Sequence, residues 1–239
     1  SAAFMTLTYG NAIGFDGTEF GEEPPISFNG LDTLKKDDLT KFIKRLRKHE
    51  AKNGNTRTLK YYAVGEYGSK NHRPHYHIIL FNALNSTLVR SDMVAQKIWK
   101  KGKIDVAKCN IPTINYVVGY INQGAWIPSA DFDDRDPHFS VMSKKLGSSY
   151  LTDETFDYHY DRMDASVMHP SGYRIPLPRY FKDQIFTVEE KAELYEINQQ
   201  MRSMNWQEFV NYDYSKELMI NKYKIEQNDK KRKKERAFI

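Results

Sequence analysis

Hydrophobic and polar residues follow strand-like and helix-like patterns in turn along the first part of the chain. Phe4 to Tyr9 alternates threonine with apolar residues, which is typical of a strand. Gly10 to Gly30 is rich in Gly, Pro and Asn and predicts a long loop. The next segment predicts an amphipathic helix with Asp32 or Thr33 as N-cap. Its apolar side consists of Leu39, Phe42, Ile43 and Leu46.

The following segments predict two strands, a helix and a further strand. Leu59 to Tyr67 and His75 to Phe81 are β-rich runs separated by turn-like residues, as in an antiparallel hairpin. A helix is expected from Asp92 to Lys101, with Ser91 as its cap and Val94, Ile98 and Trp99 as its apolar side. Lys103 to Cys109 predicts the next strand.

A final helix is predicted around Pro112, which suits a first helical turn. The resulting order is strand, helix, strand, strand, helix, strand, helix. It fits an α+β fold in which a ferredoxin-like or RRM-like antiparallel sheet has helices on one face. In that fold the hairpin histidines lie on the open face of a central strand, under the final helix. The core-facing stripe of that helix is predicted to be Ile114, Val117, Val118 and Ile121.

The predicted hairpin brings together three residues that can bind a metal. His75 and His77 are two positions apart on a strand, so they share a face, while Tyr76 points into the core on the other side. Glu66 ends the preceding strand and can come beside them. Two imidazoles and a carboxylate can hold a divalent ion and leave positions open for a substrate oxygen. The alternative is an ordinary pair of half-buried strand histidines.

The final helix carries Tyr116 and Tyr120, four positions apart and therefore on one face. Among 16 tyrosines in the chain, either could equally be a packing residue.

The C-terminal part predicts short elements broken by proline, followed by a helical extension. Thr187 and Glu190 form a capping box that opens a long helical region. Its narrow apolar seam consists of Leu194, Ile197, Met201 and Met204. Lys230 to Arg236 is almost entirely basic, and either tracks a phosphate backbone or is a solvated tail. We expect a domain over residues 4–186 and a helical, basic extension over 187–239.

Composition adds mild support for a nucleic-acid partner. The net charge is +5 over 239 residues. The outer face of the first helix carries Lys44, Arg45 and Arg47 as candidate phosphate contacts, although a solvated helix face explains them as well. The single cysteine, Cys109, excludes an internal disulfide and a cysteine zinc cluster, and suits a reducing cytoplasm. No apolar run approaches a membrane span, so no membrane partner is expected.

These features together resemble the HUH endonucleases, specifically the rolling-circle replication initiators of microviruses, which are small phages with circular single-stranded DNA. The resemblance covers about residues 4 to 186 and includes the His-hydrophobe-His pair, the upstream glutamate and the two tyrosines. Five further segments contribute: Met5 to Tyr9, Asp38 to Lys48, Val64 to Gly68, Met142 to Gly147 and Leu177 to Phe181. One departure is Gly119, because these initiators often carry a basic residue three places after the first tyrosine.

The resemblance implies a site-specific endonuclease and strand transferase. Tyr116 and Tyr120 would be its nucleophiles, and His75, His77 and Glu66 would bind Mn²⁺ or Mg²⁺. Lys144 or Lys145 would supply the charge missing at Gly119. The expected partners are single-stranded DNA at a replication origin and the host helicase and polymerase, in the cytoplasm of a bacterial host.

Three other interpretations stay open. A relaxase or transposase of the same superfamily would share this site. A non-catalytic RNA-binding module could use the same sheet, with the histidines as plain strand residues. A mononuclear zinc hydrolase is disfavoured because no His-Glu-x-x-His helix is present.

Overall fold

A computed structural model describes residues 2–119, 128–169 and 171–203, with the backbone alone for residues 200–203. Tyr120 and the basic stretch Lys230 to Arg236 lie outside the described residues. The chain forms two compact units, one ending at Leu146 and the other beginning at Gly147. The expected division into residues 4–186 and 187–239 stays a prediction.

The first unit is built on one antiparallel sheet of five strands. Their order across the sheet is Ile104–Lys108 (β6), Ala2–Thr8 (β1), Pro74–Phe81 (β5), Lys60–Tyr67 (β4) and Phe139–Met142 (β7). The first four of these have the strand order of a ferredoxin-like fold, so the predicted α+β class is confirmed. The edge strand β7 was not predicted, and β1 begins two residues earlier than expected.

One face of the sheet is covered by helices. They are α1 (Lys36–Lys52), α2 (Asn85–Val89) and α3 (Ser91–Val94), and α3 continues into a π-helical turn (Ala95–Trp99). Both predicted apolar helix sides are buried there, as expected. Burial of each large side chain contributes about 1.5–3 kcal/mol, so this core holds the helices on the sheet. Its main members are Met5, Leu7, Phe42, Leu46, Tyr76, Ile78, Leu80, Ile98 and Trp99.

The predicted helix caps are wrong. α1 begins after Lys35, whose side chain makes no capping hydrogen bond. Thr33 is instead used by its loop, because its hydroxyl accepts a hydrogen bond from the amide of Asp136 at 2.9 Å. Asp32 is taken up by an isolated β-bridge. Ser91 is the first residue of α3 rather than its cap.

The opposite face of the sheet carries α4 (Ile111–Gly119). Val117 is fully buried in a small apolar cluster on this face, so the predicted position of the tyrosine helix over the sheet is confirmed. The predicted stripe is wrong for Ile114 and Val118, which are exposed, and Ile121 lies outside the described residues. The residues of α4 that approach the sheet are Val117 and Tyr116.

The predicted long loop contains a short hairpin of β2 (Ala12–Ile13) and β3 (Glu19–Phe20). Gln96 fixes the turn of this hairpin by donating hydrogen bonds to two of its side chains. Where the hairpin rejoins the domain, Gly21 has a φ of +123°, and a Cβ there would lie 2.2 Å from the carbonyl oxygen of Gly10. Only glycine fits that approach.

The second unit is mainly helical. It contains a 3₁₀ turn (Ser148–Tyr150), α5 (Asp153–Asp161), a hairpin of β8 (Ser166–Met168) and β9 (Arg174–Pro176), α6 (Arg179–Ile185) and α7 (Val188–Ser203). Among the helices of the described ranges, none is long and apolar enough to cross a membrane.

The predicted capping box opens α7. The amide of Thr187 donates to Glu190 Oε2 at 2.7 Å, and the amide of Glu190 donates to Thr187 Oγ1 at 3.2 Å. Of the predicted seam, Leu194 is buried and Ile197 is half-buried. The side chains of the two methionines of that seam, at positions 201 and 204, are outside the described part.

Candidate metal centre and nucleophile

Strand pairing brings the three predicted metal ligands together. In the antiparallel pair of β4 and β5, Glu66 lies directly opposite His75, and Val64 lies opposite His77. Both histidines point to the face under α4, and Tyr76 between them is fully buried in the opposite core. The predicted alternation along this strand is therefore confirmed.

One carboxylate oxygen is the meeting point of the three side chains. Glu66 Oε1 lies 2.7 Å from His75 Nε2 and 3.1 Å from His77 Nε2. The ligand atoms of the three residues all lie within 4.8 Å of one another. Glu66 is only 2% exposed, so the charge of its carboxylate depends on its immediate partners rather than on water.

The partners of Glu66 keep it ionised despite its burial. Burial alone would raise the pKa of this carboxyl, but hydrogen bonds from His75 and His77 outweigh burial and lower its pKa to about 2. Burial likewise opposes protonation of His75, yet the Glu66 carboxylate and the Arg73 carbonyl oxygen raise its pKa. The cluster is thus a buried anion between two imidazoles.

The triad fits a divalent cation on two further counts. Glu66 Oε2 is buried, and within the described ranges no donor reaches it. A buried carboxylate oxygen without a partner is costly, and a cation would satisfy it. Adjacent ligands of an octahedral ion with bonds of about 2.1 Å lie about 3 Å apart, which matches the separations of 2.7 and 3.1 Å from Glu66 Oε1.

Tyr116 reaches this cluster from α4. Its hydroxyl donates to Glu66 Oε1 at 3.2 Å, and its ring meets the ring of His77 edge to face, with 5.1 Å between centroids. The side chain is 47% exposed, so the phenol touches both the buried carboxylate and solvent. The structure thereby brings the first predicted nucleophile to the predicted metal ligands.

The start of α4 fixes that approach. Asn110 and Thr113 exchange hydrogen bonds of 2.9 Å, each side-chain oxygen accepting from the amide of the other residue. This reciprocal cap satisfies the first turn of the helix directly after β6. Pro112 lies in the first turn as predicted. With Val117 buried on the sheet, the preceding residue Tyr116 is turned toward Glu66.

Comparison with known proteins identifies the family. The sequence model of the family described as replication-associated protein ORF2 matches residues 2–125, slightly more than half of the chain. The chain belongs to this family. The matched range includes the metal-ligand triad and both predicted tyrosines.

Several phage replication-associated proteins are similar to the chain. It is 28% identical over 171 residues to VP4 of Bdellovibrio phage phiMH2K, covering 64% of this chain and 52% of that protein. It is 27% identical over 190 residues to ORF2 of Spiroplasma virus 4, with 74% and 56% coverage. ORF4 of Chlamydia phage 1 is 31% identical over 170 residues, with 64% and 42% coverage. The chain spans about half the length of these curated relatives, and no solved structure matches it.

The predicted basic residues of α1 lie away from the triad. This helix packs on the sheet face opposite to the histidines. Arg47 donates hydrogen bonds to the Leu59 carbonyl oxygen and Ser143 Oγ, and Arg45 donates to the carbonyl oxygen of Trp99. Lys44 is exposed. Both arginines therefore join α1 to neighbouring elements, and their contact with DNA stays a prediction.

Lys144 and Lys145 are both exposed in the turn that follows β7. The side chain of Lys60 donates to the carbonyl oxygen of Lys144, so this turn lies at the start of β4. Glu66 is six residues further along that strand, or about 20 Å at 3.3 Å per residue. The structure does not bring these lysines to the triad. Gly119 ends α4, and a Cβ built on it would meet none of the described atoms within 4 Å.

Two residues of the site were missed from the sequence. His138 immediately precedes β7, whose register pairs Phe139 with Gly65, so the next pair across these strands is His138 and Glu66. Burial lowers the pKa of His138, while the charge of Glu66 acts in the other direction. Thr6 on β1 lies opposite His77. The Thr-x-Thr alternation of β1 was a usable signal for Thr6, but the unpredicted edge strand hid His138.

Proposed function

We infer that this chain is a replication initiator endonuclease. It nicks single-stranded DNA at a phage origin through a tyrosine, forms a covalent 5′-phosphotyrosyl intermediate, and rejoins the DNA after rolling-circle replication. The observation that carries this proposal is the hydrogen bond from the Tyr116 hydroxyl to Glu66 Oε1, the oxygen that both histidines contact. A phenol beside a buried anion and two imidazoles is the arrangement that tyrosine attack on a phosphate needs.

The family supports the biological context of this proposal. The similar proteins are named as replication-associated proteins of phages. A role at the replication origin in the bacterial cytoplasm, with host helicase and polymerase as partners, follows from that context. A relaxase or transposase would share the triad and tyrosine, but the family match favours the phage initiator. A binding module without catalysis would have no use for the Tyr116–Glu66 contact.

His75, His77 and Glu66 would hold the divalent ion, with Mn²⁺ or Mg²⁺ as the expected metal. When bound, the ion supplies positive charge to the scissile phosphate and so favours attack on it. The histidines suit Mn²⁺ in particular, because imidazole is a better ligand for transition metals than for Mg²⁺.

Tyr116 would act as the nucleophile. Its phenol oxygen forms a bond to phosphorus, the bond between phosphorus and the 3′ oxygen breaks, and the leaving oxygen takes a proton from water. Glu66, with its pKa of about 2, is too weak a base to hold the proton of a phenol, whose ordinary pKa is about 10. Glu66 therefore orients the hydroxyl, and the proton passes to solvent on the exposed side of Tyr116.

The phosphotyrosyl bond preserves the energy of the broken link. A phenolate is a good leaving group, so a 3′ hydroxyl can later attack the same phosphorus and release the tyrosine. A second tyrosine would allow one to hold the 5′ phosphate while the other cuts the regenerated origin. Tyr120 is four residues after Tyr116, which in a continuous helix is the next position on the same face.

Covalent trapping tests the proposal. The protein is incubated with a random-sequence single-stranded DNA library and Mn²⁺, digested with nuclease and trypsin, and analysed by mass spectrometry. Tyr116 and Tyr120 fall on one tryptic peptide, residues 109–135, so fragmentation must separate them. We expect a nucleotide adduct on one or both tyrosines. The single changes Tyr116→Phe and Tyr120→Phe should each retain some adduct or impair one step, and the double change should abolish adducts.

A matched control is Tyr158→Phe, because Tyr158 is 46% exposed against 47% for Tyr116 but belongs to the second unit. This variant should form adducts at the normal rate. Adducts on another residue, or cutting by the double variant, would refute the tyrosine mechanism.

A further inference from the structure

The geometry points to Thr6 as the positioning residue of His77: its hydroxyl holds the imidazole so that Nε2 faces the metal position. Thr6 Oγ1 lies 3.0 Å from His77 Nδ1, on the side of the ring away from Glu66. This inference rests on the proposed function, because it takes His77 Nε2 as a metal ligand. It adds a role for β1, which supplies none of the three ligands.

The chemistry of imidazole makes this contact consequential. A ring nitrogen that binds a cation must offer its lone pair, so the proton of a neutral imidazole has to be on the other nitrogen. For His77 that other nitrogen is Nδ1, and the group facing it must accept a hydrogen bond. A threonine hydroxyl can accept from Nδ1–H, and it can also donate to bare Nδ1 when the proton is on Nε2. Valine in its place could do neither.

His75 solves the same problem through the backbone. Its Nδ1 lies 3.0 Å from the carbonyl oxygen of Arg73, which can only accept, so Nδ1 carries the proton and Nε2 faces Glu66. Both histidines thus direct Nε2 to one carboxylate oxygen. A side chain supplies the outer contact only at His77, so a substitution can remove that contact there.

The surroundings of His77 make the Thr6 hydroxyl hard to replace by water. His77 is buried, with only 7% of its surface exposed. Phe4 stacks on the ring at 5.2 Å between centroids, and the edge of the ring meets Tyr116 at 5.1 Å. These aromatic contacts restrict the tilt of the ring but offer Nδ1 no partner. Loss of the hydroxyl would leave a buried ring nitrogen without a hydrogen bond.

Thr8 provides an internal control. It lies on the same strand and the same face as Thr6, opposite His75 instead of His77. Its hydroxyl is directed to the carbonyl oxygen of Lys103 at 3.5 Å, and His75 already uses the carbonyl of Arg73. Removal of the Thr8 hydroxyl should therefore leave both metal-facing nitrogens as they are.

The test measures Mn²⁺ binding to the full chain by electron paramagnetic resonance of the free ion, without DNA. Thr6→Val should weaken Mn²⁺ binding by about 10–100-fold, the usual cost of losing an outer partner of a histidine ligand. Thr6→Ser, which restores the hydroxyl, and Thr8→Val should both stay within about threefold of the unchanged protein, less than the lower end of that usual cost. Circular dichroism should show the same fold and similar melting temperatures for all variants.

A spectroscopic readout covers the case in which Thr6→Val fails to fold. With diamagnetic Zn²⁺ as the probe, NMR of the unchanged protein should show a His77 Nδ1 proton protected from exchange with water. Unchanged Mn²⁺ affinity in folded Thr6→Val, or an unprotected Nδ1 proton in the unchanged protein, would overturn the inference. Failure of the unchanged protein to bind either ion would instead remove the metal site from the proposed function.

Discussion

The hydroxyl of Tyr116 donates to Oε1 of Glu66 at 3.2 Å across a sequence separation of 50 residues. This contact joins an exposed helix to the end of an internal strand. It places the most reactive candidate oxygen of α4 on the one carboxylate that also binds two imidazoles. The consequences can be tested separately for the metal, for pH, for DNA and for the basic residue that the family resemblance leads one to expect near Tyr116.

Glu66→Gln should abolish tight metal binding while the protein stays folded. The change keeps the shape of the side chain but removes the charge from the centre of the triad. Since loss of an outer partner alone costs about 10–100-fold, loss of a ligand charge should lower Mn²⁺ affinity by at least about 100-fold. Calorimetric titration with Mn²⁺ measures this.

The control for this change is Glu50→Gln, which also alters a glutamate with 2% exposure. Glu50 Oε2 accepts hydrogen bonds from Asn55 and from the amide of Leu84, away from the triad. Its substitution should lower the melting temperature without changing Mn²⁺ affinity. Equal Mn²⁺ affinity of Glu66→Gln and the unchanged protein would contradict the assigned centre.

The ease with which this centre could be predicted differs from residue to residue. His75 and His77 were predictable because strand alternation alone fixes their common face. Glu66 followed from a short turn that leaves few possible hairpin registers. His138 could not be found, because the strand it precedes is only four residues long and reaches β4 after a long irregular segment.

The basic residues and caps show a different limit. Sequence pattern identified the outer face of α1 but not that Arg45 and Arg47 bind backbone carbonyl oxygens. Likewise, Thr33 has the chemistry of an N-cap but is used by a loop contact to Asp136, which is 103 residues away. Tertiary partners decide such roles, and local pattern does not contain them.

The stability of the metal-free protein should depend on pH through the pair Glu66 and His75. The pKa of Glu66 is about 2 in the fold against an ordinary value of 4.5, so its stabilisation is present above pH 4.5 and is lost as the pH falls toward 2. The pKa of His75 is raised above 6.5, so its stabilisation is present below pH 6.5 and is lost as the pH rises through the folded value.

The pair should therefore stabilise the metal-free fold most between pH 4.5 and 6.5. Thermal melts in chelator, from strongly acidic to mildly alkaline pH, measure this as the difference in melting temperature between the unchanged protein and Glu66→Gln. We expect that difference to peak inside the window and to shrink on both sides. A difference independent of pH would show that Glu66 stabilises the fold by packing alone.

The lysines after β7 should contribute to DNA binding, and Arg47 mainly to stability. Each phosphate contact on a single strand adds about 0.7 to the slope of log affinity against log salt. Lys144→Gln combined with Lys145→Asn should reduce that slope by up to about 1.4 and leave the melting temperature unchanged. Asparagine suits position 145, where φ is +55°.

Arg47→Ala should behave in the opposite way. It removes hydrogen bonds to Leu59 and Ser143, and should lower the free energy of unfolding by about 1 kcal/mol with little change in the salt slope. Fluorescence anisotropy of a labelled single strand and denaturant titration give the two quantities. A full loss of slope in Arg47→Ala would return α1 to the DNA-binding surface.

Gly119→Lys should increase the rate of adduct formation. Positions 116 and 119 are three apart in α4 and therefore neighbours on its surface, whereas position 118 faces elsewhere. A lysine at 119 would add a positive charge beside the phosphate that Tyr116 attacks, and nothing among the described atoms obstructs its Cβ. A gain of a few-fold, equivalent to about 1 kcal/mol, is expected in the rate of covalent trapping.

Two controls separate charge from other effects of Gly119→Lys. Val118→Lys adds the same charge at an exposed neighbouring position and should strengthen DNA binding without accelerating trapping. Gly119→Ala removes the flexibility of glycine, worth about 1 kcal/mol in a helix, without adding charge, and should raise thermal stability alone. Equal acceleration by Val118→Lys would mean that any added charge acts through DNA affinity. Equal acceleration by Gly119→Ala would mean that helix order, rather than a basic group beside Tyr116, limits the reaction.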